Sequence, residues 1–340
     1  MSALMVGGRA IERGQRYSID LPIAQLYTHA PLTMPVQVLA GKKSGPVLFV
    51  IAALHGDEIN GVEIIRRLLR MPLMNRLRGT LIAVPIVNVP GFIQRSRYLP
   101  DRRDLNRSFP GSPTGSLAGR IAHGLIEEIV AKADYGIDLH TGAVHRANLP
   151  QIRANLDSEA NAQLAHAFGA PLILDSKPAG GTLREYTSAN KIPLLLYEAG
   201  EALRFDEPSI RVGQRGIVNV MRRIGMLPKA SRPHRQRQPV FASSSQWVRA
   251  EASGVLRTVV ALGEKVSRGQ LLGYLSDTLG ESETILESPV SGLVIGKLNL
   301  PLVFAGEAVF HIARTRQAGV AAATWEKLQE VEDLPEPAIV

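Results

Sequence analysis

Cysteine is absent from the 340 residues, so neither a disulfide nor a thiolate metal site is available, and only histidine and carboxylate could hold a metal. Aromatic residues make up 5% of the chain, and no row of them interleaves with the arginines as a platform for stacked bases requires. The longest apolar run, VLFVIAAL at 47–54, is far shorter than the roughly 18 residues needed to cross a bilayer. The segment MSALMVGGRAIERGQRYSIDL has no apolar stretch behind a basic start, so no secretory signal is expected and a cytoplasmic location is. Membrane and nucleic-acid partners are therefore not expected. The formal charge of +8 does not reverse this, because much of the basic excess lies in RIGMLPKASRPHRQRQ, a proline-containing stretch that reads as a solvated linker.

What is present is the composition of an ordinary folded protein, 45% hydrophobic and 21% charged, long enough for one large domain and a smaller one. PVLFVIAAL reads as a buried strand, and NGVEIIRRLLR behind it places Val62, Ile65, Leu68 and Leu69 on one side of a helix. TLIAVPIV (80–87) follows, then a polar loop to about 115 and the helix pattern SLAGRIAHGLIEEIVAKA (116–133), with Leu117, Ile121, Leu125 and Ile129 every fourth residue. YGIDLH, a helix near 158–168, PLILD and IPLLLYEAG complete an α/β pattern: a mixed sheet flanked by helices, with sites expected at strand ends. After the linker, 246–313 reads as short strands separated by glycines, a second, small all-β barrel-like or sandwich unit, and TWEKLQEVEDL as a short terminal helix. The expected division is 1–235, 240–315 and a tail at 316–340.

Charged residues recur where these apolar strands end. His55 and Glu58 in LHGDEING are three apart, and can turn toward one point if a helical turn begins there. YGIDLHTG delivers Asp138 and His140 on one face of a strand, awkward for a core but useful beside a metal. Two imidazoles and a carboxylate leave a fourth position open, as a catalytic zinc site does. A lone HxxE is weak, since His55 could be a hydrogen-bonded core histidine and Glu58 a helix-start carboxylate. Glu198 ends the apolar stretch of IPLLLYEAGE, where it either pairs with an arginine or takes a proton from a metal-activated water. The loop RSRYLPDRRDLNRSFPG can grip a carboxylate through Arg107 and Asn106, and Asp104 can accept the second ring proton of His55. An arginine that stabilises an oxyanion is expected here as Arg103, with Arg97 and Arg102 as rivals.

HGDE, DLNRSFPG, DLHTG and YEAGE, in that order over roughly 45–225, resemble the succinylglutamate desuccinylase and aspartoacylase family, a branch of the zinc carboxypeptidase fold. The resemblance implies one zinc per chain on His55, Glu58 and His140, a catalytic Glu198, a substrate-carboxylate pair Asn106 and Arg107, and Asp104 behind the metal ligands. Arg184, in AGGTLREYTS, is similar to a further arginine that meets the acid side of the substrate, although its spacing differs. ASGVLRTVVALGEKVSRGQLLGYL and ESPVSGLVIG resemble the two halves of a biotinyl/lipoyl-like barrel, but the turn segment SETILESPVSG has no lysine for a cofactor. Covering the active-site rim or making a subunit contact is the expected role of this module, which leaves a homo-oligomer open.

The expected reaction is hydrolysis of a small N-acyl amino acid, N-acetylated, including an N-acetyl-diamino acid, or N-succinylated. Carboxypeptidase-like cleavage of short peptides and a non-catalytic, metal-stabilised binding protein are the two alternatives. Mn²⁺ or Co²⁺ would suit the same nitrogen and oxygen ligands.

Overall fold

A computed structural model describes residues 4–229 and 238–330. Half of the Arg/Pro linker (230–237) and the end of the expected terminal helix (331–334) lie outside the described residues.

Thirteen strands make one mixed sheet. Its core consists of four parallel neighbours, Leu194–Glu201, Tyr135–Gly142, Lys43–Ala52 and Arg78–Val84. All four end at the same edge, which is where an open α/β sheet presents ligand sites. Antiparallel strands flank them: Pro31–Ala40 and Arg16–Gln25 on one side, Arg146–Ala154 on the other.

The second half of Lys43–Ala52, residues 48–52, is buried on both faces because both alternating sets of its side chains are apolar. Leu48, Val50 and Ala52 join one core with residues of the helices Asn60–Arg70, Glu159–Phe168 and Glu207–Arg223. Phe49 and Ile51 join the opposite core with Ala118, Ile121 and Leu125 of the helix Leu117–Glu128. Ser116 starts that helix by accepting the Gly119 N–H at 3.2 Å. The first helix buries Ile64, Ile65 and Leu68, while Val62 and Leu69 are half-buried. Its core face is thus centred nearer Ile64 than the expected stripe, and each fully buried aliphatic side chain there contributes about 1.5–3 kcal/mol.

The C-terminal strands divide between two sheets. Glu283–Glu287, Leu271–Ser276, Gly254–Thr258 and Leu302–Val303 form a separate four-stranded antiparallel sheet above a core that includes Leu256, Leu272 and Leu275. Gly292–Leu298, Ala308–Arg314 and Ser244–Arg249 instead extend the large sheet. The join is antiparallel to Arg146–Ala154, with Gly296 opposite Asn148. Val240–Ala242 adds a parallel partner to Leu172–Asp175. The last described helix, Ala318–Glu330, begins before the expected TWEKLQ segment and buries Trp325 in a core shared with Leu149, Leu172 and Leu293. No helix among the described residues is long and apolar enough to cross a membrane.

Candidate metal centre and catalytic pocket

The ends of two neighbouring strands, Lys43–Ala52 and Tyr135–Gly142, converge on one buried group. After Ala52 the chain turns so that the Glu58 N–H meets the His55 carbonyl at 3.2 Å, which puts both side chains on one side of the turn. Gly56 makes this approach feasible, because a Cβ there would stand 2.0 Å from the Gly91 carbonyl carbon. His55 Nδ1 and His140 Nδ1 each lie 2.7 Å from a different oxygen of Glu58. Candidate donor atoms on the three residues lie within 4.8 Å of one another, and all three are buried.

The other ring nitrogens face carboxylates. His55 Nε2 is 3.2 Å from Asp104 Oδ1, and His140 Nε2 is 2.9 Å from Asp138 Oδ2, the latter an ion-pair contact rather than a directed hydrogen bond. Carboxylates behind the imidazoles are what orients histidine toward a cation. Burial opposes the Glu58 charge, yet His55 and His140 hold its carboxyl far below the usual range. Burial likewise opposes a proton on His140, but Asp138 and Glu58 raise its pKa well above normal. Burial and Glu58 together push the neighbouring Asp57 carboxyl up, toward its neutral form. Glu58, Asp104 and Asp138 against Arg97 leave two uncompensated negative charges when the imidazoles are neutral, so charge as well as donor type suits a divalent cation.

Glu198 stands opposite His140 on the adjoining parallel strand. Its Oε2 accepts from Asn148 Nδ2 at 2.6 Å, and its Oε1 lies 3.3 Å from Arg153 Nη1. The arginine pairing that a merely structural Glu198 would make is therefore present. The same side chain nonetheless lines a cavity of about 340 Å³ with His55, Glu58 and His140.

Of the loop residues, Arg97, Asn106 and Arg107 reach this cavity. Asp104 Oδ1 accepts from the Asn106 N–H at 2.8 Å and caps the short turn Leu105–Arg107. Asn106 Oδ1 accepts from the Leu183 N–H, which leaves its amide N–H groups as the end available to a ligand. Arg107 donates to the Asn106 carbonyl at 2.6 Å and has no carboxylate partner among the described residues. Arg184 also lines the cavity, held by Ser176 Oγ and the Ser176 carbonyl; burial and Arg153 bring its pKa down to about 10.

Arg103 does not reach the site. Its side chain is 62% exposed, and Asp101 is its ion-pair neighbour. The tight turn responsible runs from Leu99, which is buried, through Arg102 at φ +61°, with the Leu99 N–H bonded to the Arg103 carbonyl. Arg97, before the turn, reaches inward instead, 3.2 Å from His55 Nδ1 and 3.0 Å from Asp104 Oδ2.

Sequence reasoning missed Arg146, Asn148, Arg153, Lys177 and Trp247, all of which line the cavity. The first three lie on one unanticipated strand, RANLPQIRA, and the last belongs to the C-terminal strand Ser244–Arg249. Trp247 stacks on His311 at 4.1 Å between centroids, and the Arg146 guanidinium lies 5.1 Å from the indole. A register shift opposite Glu198 and Gly200 breaks the two-residue alternation between Asn148 and Gln151. The surplus of polar residues in RANLPQIRA was the signal available.

Residues 44–224, more than half of the chain, match the family described as the succinylglutamate desuccinylase/aspartoacylase catalytic domain. An N-alpha-acetyl-L-2,4-diaminobutyric acid deacetylase from Halomonas elongata is 29% identical over 257 residues, covering 72% of this chain and 74% of that protein. A product-bound structure of the ectoine utilization protein EutE (DoeB) from Ruegeria pomeroyi superposes with a TM-score of 0.81 at 25% identity, over 89% of this chain and 97% of that one. A succinylglutamate desuccinylase/aspartoacylase structure from Rhodobacter sphaeroides gives 0.80 at 25% identity, over 88% and 96%.

Proposed function

Since the chain belongs to the succinylglutamate desuccinylase/aspartoacylase family, whose members in hand are deacylases, we propose that it is a zinc-dependent amidohydrolase of a small N-acyl amino acid, acting in the cytoplasm. The observation that carries this reading is the placement of Glu198 across from His140, within one pocket that also holds His55 and Glu58.

His55, Glu58 and His140 would hold one zinc ion, with Asp104 and Asp138 orienting the imidazoles. Bound there, zinc would acidify a water and polarise the scissile carbonyl. Glu198 takes a proton from the attacking water and returns it to the departing nitrogen. Asn106, through its amide N–H groups, and Arg107 hold the substrate carboxylate. Arg97 takes the oxyanion role expected of Arg103, because its guanidinium reaches the metal-ligand group and that of Arg103 does not. Arg184 adds positive charge on the acid side of the substrate.

The cavity sets six cationic side chains, Arg97, Arg107, Arg146, Arg153, Lys177 and Arg184, against the carboxylates of Glu58 and Glu198, an excess that favours an anionic ligand. A cavity of about 340 Å³ suits a small acylated amino acid better than a peptide. The relatives' names make an N-acetylated diamino acid and an N-succinylated amino acid the first substrates to try. The C-terminal strands close one wall of the pocket through Trp247. Amine release from a panel of N-acetyl, N-succinyl and N-formyl amino acids, with zinc-loaded and with chelated protein, tests the reading. Zinc-dependent release is expected; no release across the panel from stoichiometrically loaded protein would overturn it in favour of peptides or of a binding role.

A further inference from the structure

We infer that Asn148 is a positioning residue for Glu198 and is itself seated by Gly296, so that the C-terminal part of the chain controls the general base through one hydrogen bond. The inference rests on the reading of Glu198 as that base.

Glu198 has Gln151 as its register partner on Arg146–Ala154, yet Gln151 is turned away, donating to the Leu149 and Ile295 carbonyls at 3.3 Å each. The register shift brings Asn148 to Glu198 instead. Asn148 is 5% exposed, and its 2.6 Å bond to Oε2 is the one side-chain hydrogen bond it makes among the described residues. Its own Oδ1 is buried without a partner among the described residues, so the amide is held at the side-chain level through its N–H end alone. The contact of Arg153 with Oε1 is longer, at 3.3 Å. Asn148 is thus the firmer of the two restraints, and Oε1 the freer oxygen.

On its other side Asn148 faces Gly296 of Gly292–Leu298. A Cβ at Gly296 would lie 3.1 Å from Asn148 Oδ1 and 3.0 Å from His311 Cβ, tighter than ordinary contact. The missing side chain on the C-terminal strand is therefore the space that the Asn148 amide occupies. Added bulk there would push the amide, and with it the carboxylate it anchors.

The test compares Asn148→Ala, Asn148→Asp, Gly296→Ala and the Asn148→Ala/Gly296→Ala double variant in kcat, KM, metal affinity and melting temperature, with Glu198→Gln alongside. Both Asn148 variants should lower kcat about 10- to 100-fold, the order expected when a reacting group is misplaced, with KM and metal affinity within about twofold. A carboxylate in place of the Asn148 amide is the same size but cannot donate, so Asn148→Asp should be no better than Asn148→Ala, whereas a packing role would favour it. Gly296→Ala should lower kcat about 3- to 10-fold alone and add nothing in the Asn148→Ala background. Wild-type kcat in Asn148→Asp, multiplying effects in the double variant, or losses that follow metal affinity or melting temperature would overturn the inference. If Glu198→Gln is inactive while the Asn148 variants turn over normally, this inference alone fails; normal turnover in Glu198→Gln removes the base assignment and this inference with it.

Discussion

Glu198 and His140 are Cα partners on adjacent parallel strands, so the sheet itself sets the spacing between the carboxylate and the buried imidazole. Residues directly opposite in a sheet share a face, which brings Glu198 to the metal group without any loop having to close. Glu198→Gln keeps the size of the side chain and its reach to Asn148 but removes its basicity. Turnover should fall by roughly 10² to 10⁴, the usual worth of a positioned acid or base, with zinc content unchanged. Near-normal turnover in metal-replete protein would exclude this role.

Removal of the metal should affect stability as well as activity. Glu58 is 2% exposed and lies between two imidazoles, so a chelated site must either leave buried carboxylate charge uncompensated or take up protons on His55 and His140, whose pKa values the surrounding carboxylates raise. Chelation should abolish turnover and lower the melting temperature by at least about 5 °C, both restored by added zinc. An unchanged melting curve on complete removal, measured by calorimetry with metal analysis, would argue that no cation belongs to the folded state.

The arginines of the loop should separate by function. Arg107 lines the cavity without a carboxylate partner among the described residues, so Arg107→Ala should raise KM about 10-fold or more while zinc content holds, consistent with loss of a charged hydrogen bond. Arg97→Ala should act mainly on kcat because that guanidinium reaches His55 and Glu58. Arg103→Ala should change either constant by less than about twofold, as its side chain is 62% exposed. Steady-state kinetics on the three variants decides the assignment; a large kcat loss in Arg103→Ala alone would return the oxyanion role to Arg103.

What makes the metal-site residues legible in the sequence and hides the strand Arg146–Ala154 has one physical origin. Apolar strands that end in His, Glu or Asp stand out because buried charge is costly, which made His55, Glu58, His140 and Glu198 visible as a group that the structure brings together. Arg146–Ala154 lacked such contrast, since its polar residues are spread along the strand and its alternation is broken beside Asn148. The union of the two β regions was also hidden, because Gly296 opposite Asn148 is a pairing between segments far apart in sequence. Within the arginine loop, composition points to the right segment, but the turn at Arg102, one of two arginines there with positive φ, leaves Arg103 exposed while Arg97 reaches inward, and composition does not reveal such a turn.

A pH effect should follow from His311, which links this C-terminal wall to stability. It is buried beneath Trp247, its Nε2 lies 2.7 Å from Ser245 Oγ, and burial together with Arg153 and Arg146 brings its pKa down from 6.5 to about 3. Between those values the unfolded chain binds a proton that the folded one does not, so stability rises with pH across the window and falls as pH drops below 6.5. His311→Phe can keep the stack on Trp247 without a titrating group. From pH 6.5 down to about 4.5, before carboxylates dominate, the wild type should lose more melting temperature than the variant. Equal slopes in both would show that His311 is already protonated in the folded protein or that its titration is matched in the unfolded chain.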